Sequence, residues 1–214
     1  NGSAKNCYLR YNSNLSRIEF KGQKLFDYLP QFKDWQMCAS IDGTGDIVEF
    51  IRKGIVWEEW LENFKEGLEA PGGKDKMRFD LTITGPGMFS IKDLFDLSLE
   101  LDVRMETKIM FAFHPDIVFS PFAWPKHILL RKIDELLEYI EPRATKKQAT
   151  LVNTLREMKN RPSFEEEHPG NFAKERLHGK GFQDWLDEIR DEKITIADIY
   201  KADDELYEWW VSND

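Results

Sequence analysis

Residues 36–45 read Gln-Met-Cys-Ala-Ser-Ile-Asp-Gly-Thr-Gly, an apolar run that ends in a polar turn containing two glycines. The run predicts a buried strand with Ser40 and Asp42 at its carboxyl end. Gly43 lets the backbone approach a ligand closely, and Arg52 downstream can bind a carboxylate with two hydrogen bonds. The alternative is that Asp42 caps the following helix, while Arg52 lies on the surface.

Similar runs occur on both sides of this strand. Strands are predicted at residues 7–11, 36–41, 77–84 and 108–113, and helices at 23–29, 55–68 and 90–101. Strands separated by helices predict parallel β/α units, in which ligands bind at the carboxyl ends of the strands. The two cysteines, Cys7 and Cys38, are both expected to lie buried in strands.

Polar side chains also follow the first and last predicted strands. Asn14 ends the run Tyr-Asn-Ser-Asn at residues 11–14, where an amide can bind a ligand or form an Asx turn. His114 and Asp116 follow the strand predicted at 108–113, and a His-Asp pair can act as acid and base. The alternative for His114 is a loop residue whose hydrogen bonds are satisfied locally.

From residue 125 the pattern is helical, with helices predicted at 128–140, 146–158 and 172–189. We therefore expect an α/β fold: a partial parallel β/α barrel over residues 1–125, and a helical C-terminal extension over 126–214. Large apolar residues at helical spacing are expected to be core residues. These are Trp57, Trp60, Phe64, Trp185 and Leu186.

Composition limits the possible functions. With 39 acidic and 30 basic side chains among 214 residues, the net charge of -9 argues against a nucleic-acid partner. No apolar run is long enough to span a membrane, and two cysteines indicate neither a disulfide framework nor a four-thiolate site. The four histidines have no metal-binding spacing of the His-Glu-x-x-His kind, so no metal site is predicted. A reducing, cytoplasmic location is expected.

Taken in order, these motifs resemble a known family. The turn at 11–14, Ser-Ile-Asp-Gly at 40–43 with Arg52 downstream, and the strand at 79–84 resemble the later strands of the TIM-like half-barrel of radical S-adenosylmethionine (SAM) enzymes. The similarity is greatest to members with a twitch-type helical extension. It covers residues 1–125, and extends more loosely to 185–190 and 194–200.

The resemblance implies an oxidoreductase that binds SAM. Its cofactor-binding residues would be Asn14, Ser40, Asp42, Arg52, Phe113 and His114. Asp42 and Ser40 would contact the ribose or methionyl part, and Arg52 the carboxylate. The strand around Leu81 and Ile83 and the strand around Phe111 and Phe113 would wall the adenine. In this family a reduced [4Fe-4S] cluster cleaves SAM to a 5′-deoxyadenosyl radical, which would here modify a peptide or a small metabolite.

The chain departs from the family pattern. The Cys-x3-Cys-x2-Cys loop that binds the [4Fe-4S] cluster is absent, as is the Gly-Gly-Glu-Pro stretch, and Ser13 and Leu15 replace the usual Thr and Gly. We therefore expect the later part of a longer or split enzyme, whose cluster requires an N-terminal part. Expected partners are that N-terminal half, a peptide or small-molecule substrate, or a second copy bound at an exposed barrel edge.

Two other functions remain open from the sequence. One is a cluster-free, degenerate half-barrel that acts as a peptide-binding or partner-binding module. The other is an unrelated β/α protein with a sugar or nucleotide ligand. Either would keep the predicted fold, and neither would require iron-sulfur chemistry.

Overall fold

The computed structural model describes residues 2–190 and 193–212. At its centre is a parallel sheet of four strands in the order β1, β4, β5, β6. Their bounds are Tyr8–Ser13, Asp34–Ile41, Met77–Ile83 and Arg104–Ile109. Each new strand is added on the same side of the previous one, and right-handed crossovers then place the connecting helices on one face of the sheet.

The face that carries these helices is apolar. On β4 and β5 its buried residues are Trp35, Met37, Ala39, Ile41, Met77, Phe79, Leu81 and Ile83. Phe79 lies against two rings of helix α3 (Trp57–Glu69), with centroids 5.8 Å from Trp60 and 4.7 Å from Phe64. Burial of these large side chains holds helix and sheet together.

The opposite face of the sheet is polar. The alternate side chains of each strand that point there are mostly polar or charged. Arg78 Nη1 donates to Glu106 Oε1 across 2.9 Å, and Lys108 Nζ donates to Asp80 Oδ2 across 2.7 Å. Arg10 and Gln36 are neighbours in the register of the outer pair. Both faces of parallel sheets are usually covered by apolar packing. A charged face of this kind is instead suited to lining the polar interior of a barrel.

Helices and short hairpin strands complete the chain. Strands β2 (Glu19–Phe20) and β3 (Gln23–Lys24) form the hairpin, and helix α1 (Leu25–Tyr28) follows it. The remaining helices are α2 (Gly45–Ile51), α4 (Gly73–Lys76), α5 (Ile91–Glu100), α6 (Lys126–Ile140), α7 (Ala149–Lys159), α8 (Phe164–Glu167), α9 (Phe172–Arg190), α10 (Ile196–Tyr200) and α11 (Asp204–Val211).

The predicted α/β class, the parallel sheet and the succession of helices after residue 125 are confirmed. A single buried apolar cluster includes residues on both sides of position 125, so the helical extension packs directly on the sheet region. The boundary between domains 1–125 and 126–214 stays a prediction. No helix within residues 2–190 and 193–212 has the length and apolarity needed to cross a membrane.

Three predictions about local structure were wrong. The last strand is Arg104–Ile109 rather than 108–113. Its charged side chains alternate towards the polar face, so the strand lacks the apolar run on which the prediction was based. Cys7 is exposed and precedes β1, while Cys38 is buried in β4 as predicted. Trp185 is 51% exposed, because α9 turns other residues towards the protein.

Asp34 joins the amino ends of three strands, and it makes the stability of the fold depend on pH. Hydrogen bonds from Lys76 and Tyr8 lower the pKa of Asp34 to about 2. Its contribution to stability is therefore complete above the unfolded-state pKa and is lost as the pH falls towards 2.

We expect Asp34→Asn to be less stable than the wild type at pH 7, and to lose less stability between pH 5 and pH 2. Urea unfolding at a series of pH values measures both differences. Parallel pH profiles for the two proteins would contradict this role of Asp34.

Candidate functional site

A cavity of about 450 Å³ lies at the carboxyl edge of the sheet, which is where ligands bind in parallel β/α folds. Its apolar lining is Phe50, Ile51, Met110, Phe119 and Leu186. Its polar lining is Asp42, Arg52, Thr82, Thr84, Asp116, Gln183 and Arg190. The cavity thus receives side chains from the ends of β4, β5 and β6, and from helix α9.

A two-bond ion pair between Asp42 and Arg52 forms one wall of the cavity. Arg52 Nε donates to Asp42 Oδ2 across 2.5 Å, and Nη2 donates to Oδ1 across 3.0 Å. The two short turns of α2 bring Arg52 back to the strand end. The Asp42 side chain is 7% exposed and that of Arg52 is 27% exposed. The pair uses two of the five N–H groups of the guanidinium, so the other three can meet an anion.

Tight backbone packing fixes the position of Asp42. A Cβ atom on Gly87 would collide with the carbonyl oxygen of Asp42, so only glycine fits at this position. The backbone N–H of Gly87 also donates to Thr84 Oγ1 across 3.0 Å, which ties the loop after β5 together. The sequence Gly-Pro-Gly at 85–87 therefore supports the cavity wall from behind.

The C-terminal helices brace the same loop. Trp124 Nε1 donates to the Tyr200 hydroxyl across 3.0 Å, next to Gly85. Tyr200 is completely buried, and burial raises the pKa of its hydroxyl well above the usual range. Tyr200 therefore stays neutral and acts as a packing residue with one satisfied hydrogen bond.

Helix α9 lines the cavity with Gln183, Leu186 and Arg190. It packs against the 3₁₀ turn Asp116–Phe119, whose first residue also lines the cavity. Gly179 permits this approach, since a Cβ there would lie 2.5 Å from Ile117 Cγ2. Guanidinium groups thus reach the cavity from both the sheet side and the helix side.

Of the six residues predicted for cofactor binding, Asp42 and Arg52 meet at this cavity. Ser40 lies two residues before Asp42, on the polar face of β4, where its hydroxyl is 3.5 Å from Asp80 Oδ2. Asn14 forms the Asx turn considered as its alternative, since Asn14 Oδ1 accepts from the Ser16 backbone N–H across 3.2 Å.

The structure places Phe113 and His114 elsewhere. Phe113 packs against Phe164 and His168, with ring centroids 5.3 and 4.8 Å away. His114 Nδ1 lies 2.8 Å from Oε2 of Glu175 on α9. Both follow the end of β6 by several residues, so the chain has already turned towards the helices. They do not line this cavity.

Thr82, Gln183 and Arg190 also line the cavity and were not predicted from the sequence. Thr82 stands on β5 at the polar position two residues after Asp80, a position that period-two alternation could have indicated. Gln183 and Arg190 come from a distant helix, and no local pattern relates them to the strand ends.

Comparison of the chain with models of protein families, with curated proteins and with solved structures gave no match.

Proposed function

We propose that the cavity at the carboxyl edge of the sheet binds S-adenosylmethionine, and that the chain is the SAM-binding later part of a radical SAM enzyme. The observation that carries the proposal is the Asp42–Arg52 pair at a strand end, beside a cavity with both polar and apolar walls. The order of four parallel strands with a polar open face is compatible with part of a β/α barrel.

The polar groups of the cavity suit the amino-acid end of SAM. Its carboxylate would meet the remaining N–H groups of Arg52, with Arg190 across the cavity as a second cation. Its ammonium would be attracted by Asp42 and Asp116. Thr82 offers a hydroxyl that can donate to and accept from ribose oxygens. Together these residues would orient the methionyl group.

The apolar groups suit the adenine end. Phe50, Phe119 and Met110 provide aromatic and polarisable surfaces, and Leu186 closes the same region from α9. Because helix α9 lines the cavity, we propose that it also helps to exclude water from the bound cofactor. The proposed task of this chain is thus to bind, orient and shield SAM.

The iron-sulfur cluster does not fit the thiols of this chain. Cluster binding in the family requires three cysteines, whereas this sequence contains Cys7 and Cys38. Cys38 is buried in β4, where Arg10 Nη2 contacts its sulfur at 4.0 Å, and Cys7 is exposed ahead of β1. A reduced cluster together with SAM would supply hydrogen-abstraction chemistry. Because this sequence contains two cysteines where three are required, we propose that a cluster-binding segment outside these 214 residues takes part.

Calorimetric titration of the chain with SAM and S-adenosylhomocysteine tests the proposal. We expect both to bind, and we expect Asp42→Ala to weaken binding about 5- to 150-fold, which corresponds to about 1–3 kcal/mol. Thr82→Val should weaken binding without breaking the ion pair.

Thr107→Val is the matched control, because Thr107 belongs to β6 and does not line the cavity. Its affinity for SAM should equal that of the wild type. If the wild type binds neither compound, or if Thr107→Val weakens binding as much as Thr82→Val, SAM is not the ligand of this cavity. Binding of a sugar phosphate in place of SAM would favour an unrelated β/α protein.

A second candidate function, partner binding without chemistry, is favoured by the aromatic surface beside strand β1. β1 is at the edge of the sheet, and exposed edges invite pairing with another chain. Tyr11, Phe20 and Tyr28 line one pocket beside β1, and they are 41%, 63% and 44% exposed. Sedimentation analysis showing concentration-dependent association, together with no heat of SAM binding, would favour this candidate.

A further inference from the structure

We propose that His114, Glu175 and His178 bind a divalent transition-metal ion of the Zn²⁺ class. Each residue offers one ligand atom, and these three atoms all lie within 4.8 Å of one another. Two imidazoles and one carboxylate are a donor set found in catalytic zinc sites, and in iron sites with open coordination positions. The hard ions Mg²⁺ and Ca²⁺ prefer sites made of oxygen atoms alone.

Helix α9 supplies two of the ligands. Glu175 and His178 are three residues apart, so they lie on the same face of the helix, about one turn from each other. A Glu-x-x-His pair on one helix is a recurring arrangement in metal sites built between helices. This spacing is shorter than the His-Glu-x-x-His motif, whose absence, together with the lack of cysteine partners for the histidines, predicted no metal site from the sequence.

The third ligand comes from the loop that precedes the 3₁₀ turn Asp116–Phe119. Gly179, directly after His178, allows this loop to pack closely, because a Cβ there would lie 3.0 Å from the carbonyl oxygen of Pro115. The close contact brings the ring of His114 to a centroid distance of 4.8 Å from the ring of His178. Packing of the fold therefore assembles the three ligands before any ion binds.

Small side-chain movements suffice for coordination. Ligand atoms of a tetrahedral zinc ion with bonds of about 2.0–2.1 Å are about 3.3 Å apart. His114 Nδ1 and Glu175 Oε2 are 2.8 Å apart, so this pair would separate slightly while the imidazole of His178 approaches. The His114 side chain is 52% exposed and that of Glu175 is 21% exposed, which leaves room for water at a fourth position.

The protein contains a natural control for this arrangement. His127 Nε2 lies 2.8 Å from Glu205 Oε1, so it forms the same type of surface contact as His114 and Glu175. Among the described residues, His114, Glu175 and His178 are the one group of three or more side chains placed to hold a metal ion. His127 does not belong to it. A contact that serves only as a hydrogen bond would behave alike at both places, whereas a metal site would set His114 apart.

Co²⁺ titration of the untagged full chain tests the proposal, because tetrahedral Co²⁺ has visible absorption bands that report its ligands. We expect one equivalent of Co²⁺ to produce these bands, and Zn²⁺ to displace it. His178→Ala and Glu175→Gln should weaken binding by at least about 100-fold, since losing a direct ligand costs no less than losing an outer partner. His127→Ala should bind Co²⁺ as the wild type does.

Melting temperatures give a second readout that does not depend on the spectrum. Zn²⁺ should raise the melting temperature of the wild type and of His127→Ala, but not that of Glu175→Gln. Glu175→Gln keeps the size of the side chain and can still hydrogen bond to His114, so the variant should fold.

Three results would overturn the proposal: no Co²⁺ bands in the wild type, equal losses in His127→Ala and His178→Ala, or a thiolate charge-transfer band indicating that a cysteine binds the ion. The metal test is independent of SAM binding, because His114, Glu175 and His178 do not line the cofactor cavity.

Discussion

Trp60→Ala is expected to lower the free energy of unfolding by about 3–5 kcal/mol, the largest effect predicted for a single side chain of this protein. Trp60 is fully buried, and it joins helix α3 to the sheet by stacking on Phe64 at 5.3 Å and contacting Phe79 at 5.8 Å. Alanine would leave a cavity between the helix and the apolar face that the rings on both sides could fill only in part. Urea unfolding measures the loss.

Two further variants separate packing from the mere presence of an aromatic ring. Trp60→Phe should cost less than about 1.5 kcal/mol, because it keeps the stack and removes an indole N–H that has no hydrogen-bond partner among the described residues. Trp185→Ala, at a side chain that is 51% exposed, should change stability by about 0.5 kcal/mol or less. Equal losses for Trp60→Ala and Trp185→Ala would contradict the packing described here.

Arg52→Ala is expected to destabilise the protein by about 3 kcal/mol, because it leaves the buried carboxylate of Asp42 without its partner. This value is at the low end for buried ion pairs, since the Arg52 side chain is 27% exposed and water can partly replace it. The reverse change, Asp42→Ala, should cost only about 1–2 kcal/mol, because the long Arg52 side chain can turn towards solvent.

The asymmetry between the two substitutions is the informative result. Denaturant unfolding of both single variants and of the double variant gives the coupling energy between Asp42 and Arg52. Arg52→Lys should recover part of the loss, because it restores the charge but not the two-bond geometry. A smaller loss for Arg52→Ala than for Asp42→Ala would show that Asp42 is not the more deeply buried partner.

The central strands could be predicted because their residues are buried on one face and polar on the other. β4 and β5 alternate apolar and polar side chains and end in glycine-containing turns, so their positions were close to those observed. Their parallel arrangement followed from the length of the helical segments between them. The same signals place Asp42 at the carboxyl edge, where it lines the cavity.

β6 was missed for a physical reason. It is an edge strand whose exposed positions carry Arg104 and Lys108, so its apolar content is low. The strand was predicted at 108–113 because apolar residues follow β6, but residues 110–113 form a loop. Phe111 stacks on Phe122 at 5.1 Å, and Phe113 contacts Phe164. Tertiary contacts with the helical extension therefore decided the structure of this segment.

The parts of the site that come from helix α9 could not be predicted from local patterns. Gln183 and Arg190 reach the cavity because Gly179 lets the helix lie close to Ile117, a contact between segments far apart in the sequence. The proximity of His114 to Glu175 depends on the same contact. A spacing rule can place side chains on one face of a helix, but it does not identify the loop that the face will meet.

Hydrogen exchange of the chain with and without S-adenosylhomocysteine tests whether the cavity at the carboxyl edge of the sheet is the SAM site, because it locates the ligand as well as detecting it. We expect slower exchange in peptides covering residues 42–52, 82–86 and 183–190, which line or support the cavity, and no change in the hairpin at 19–24. Unchanged exchange throughout, or protection confined to residues 8–28 beside the edge strand, would contradict SAM binding in this cavity.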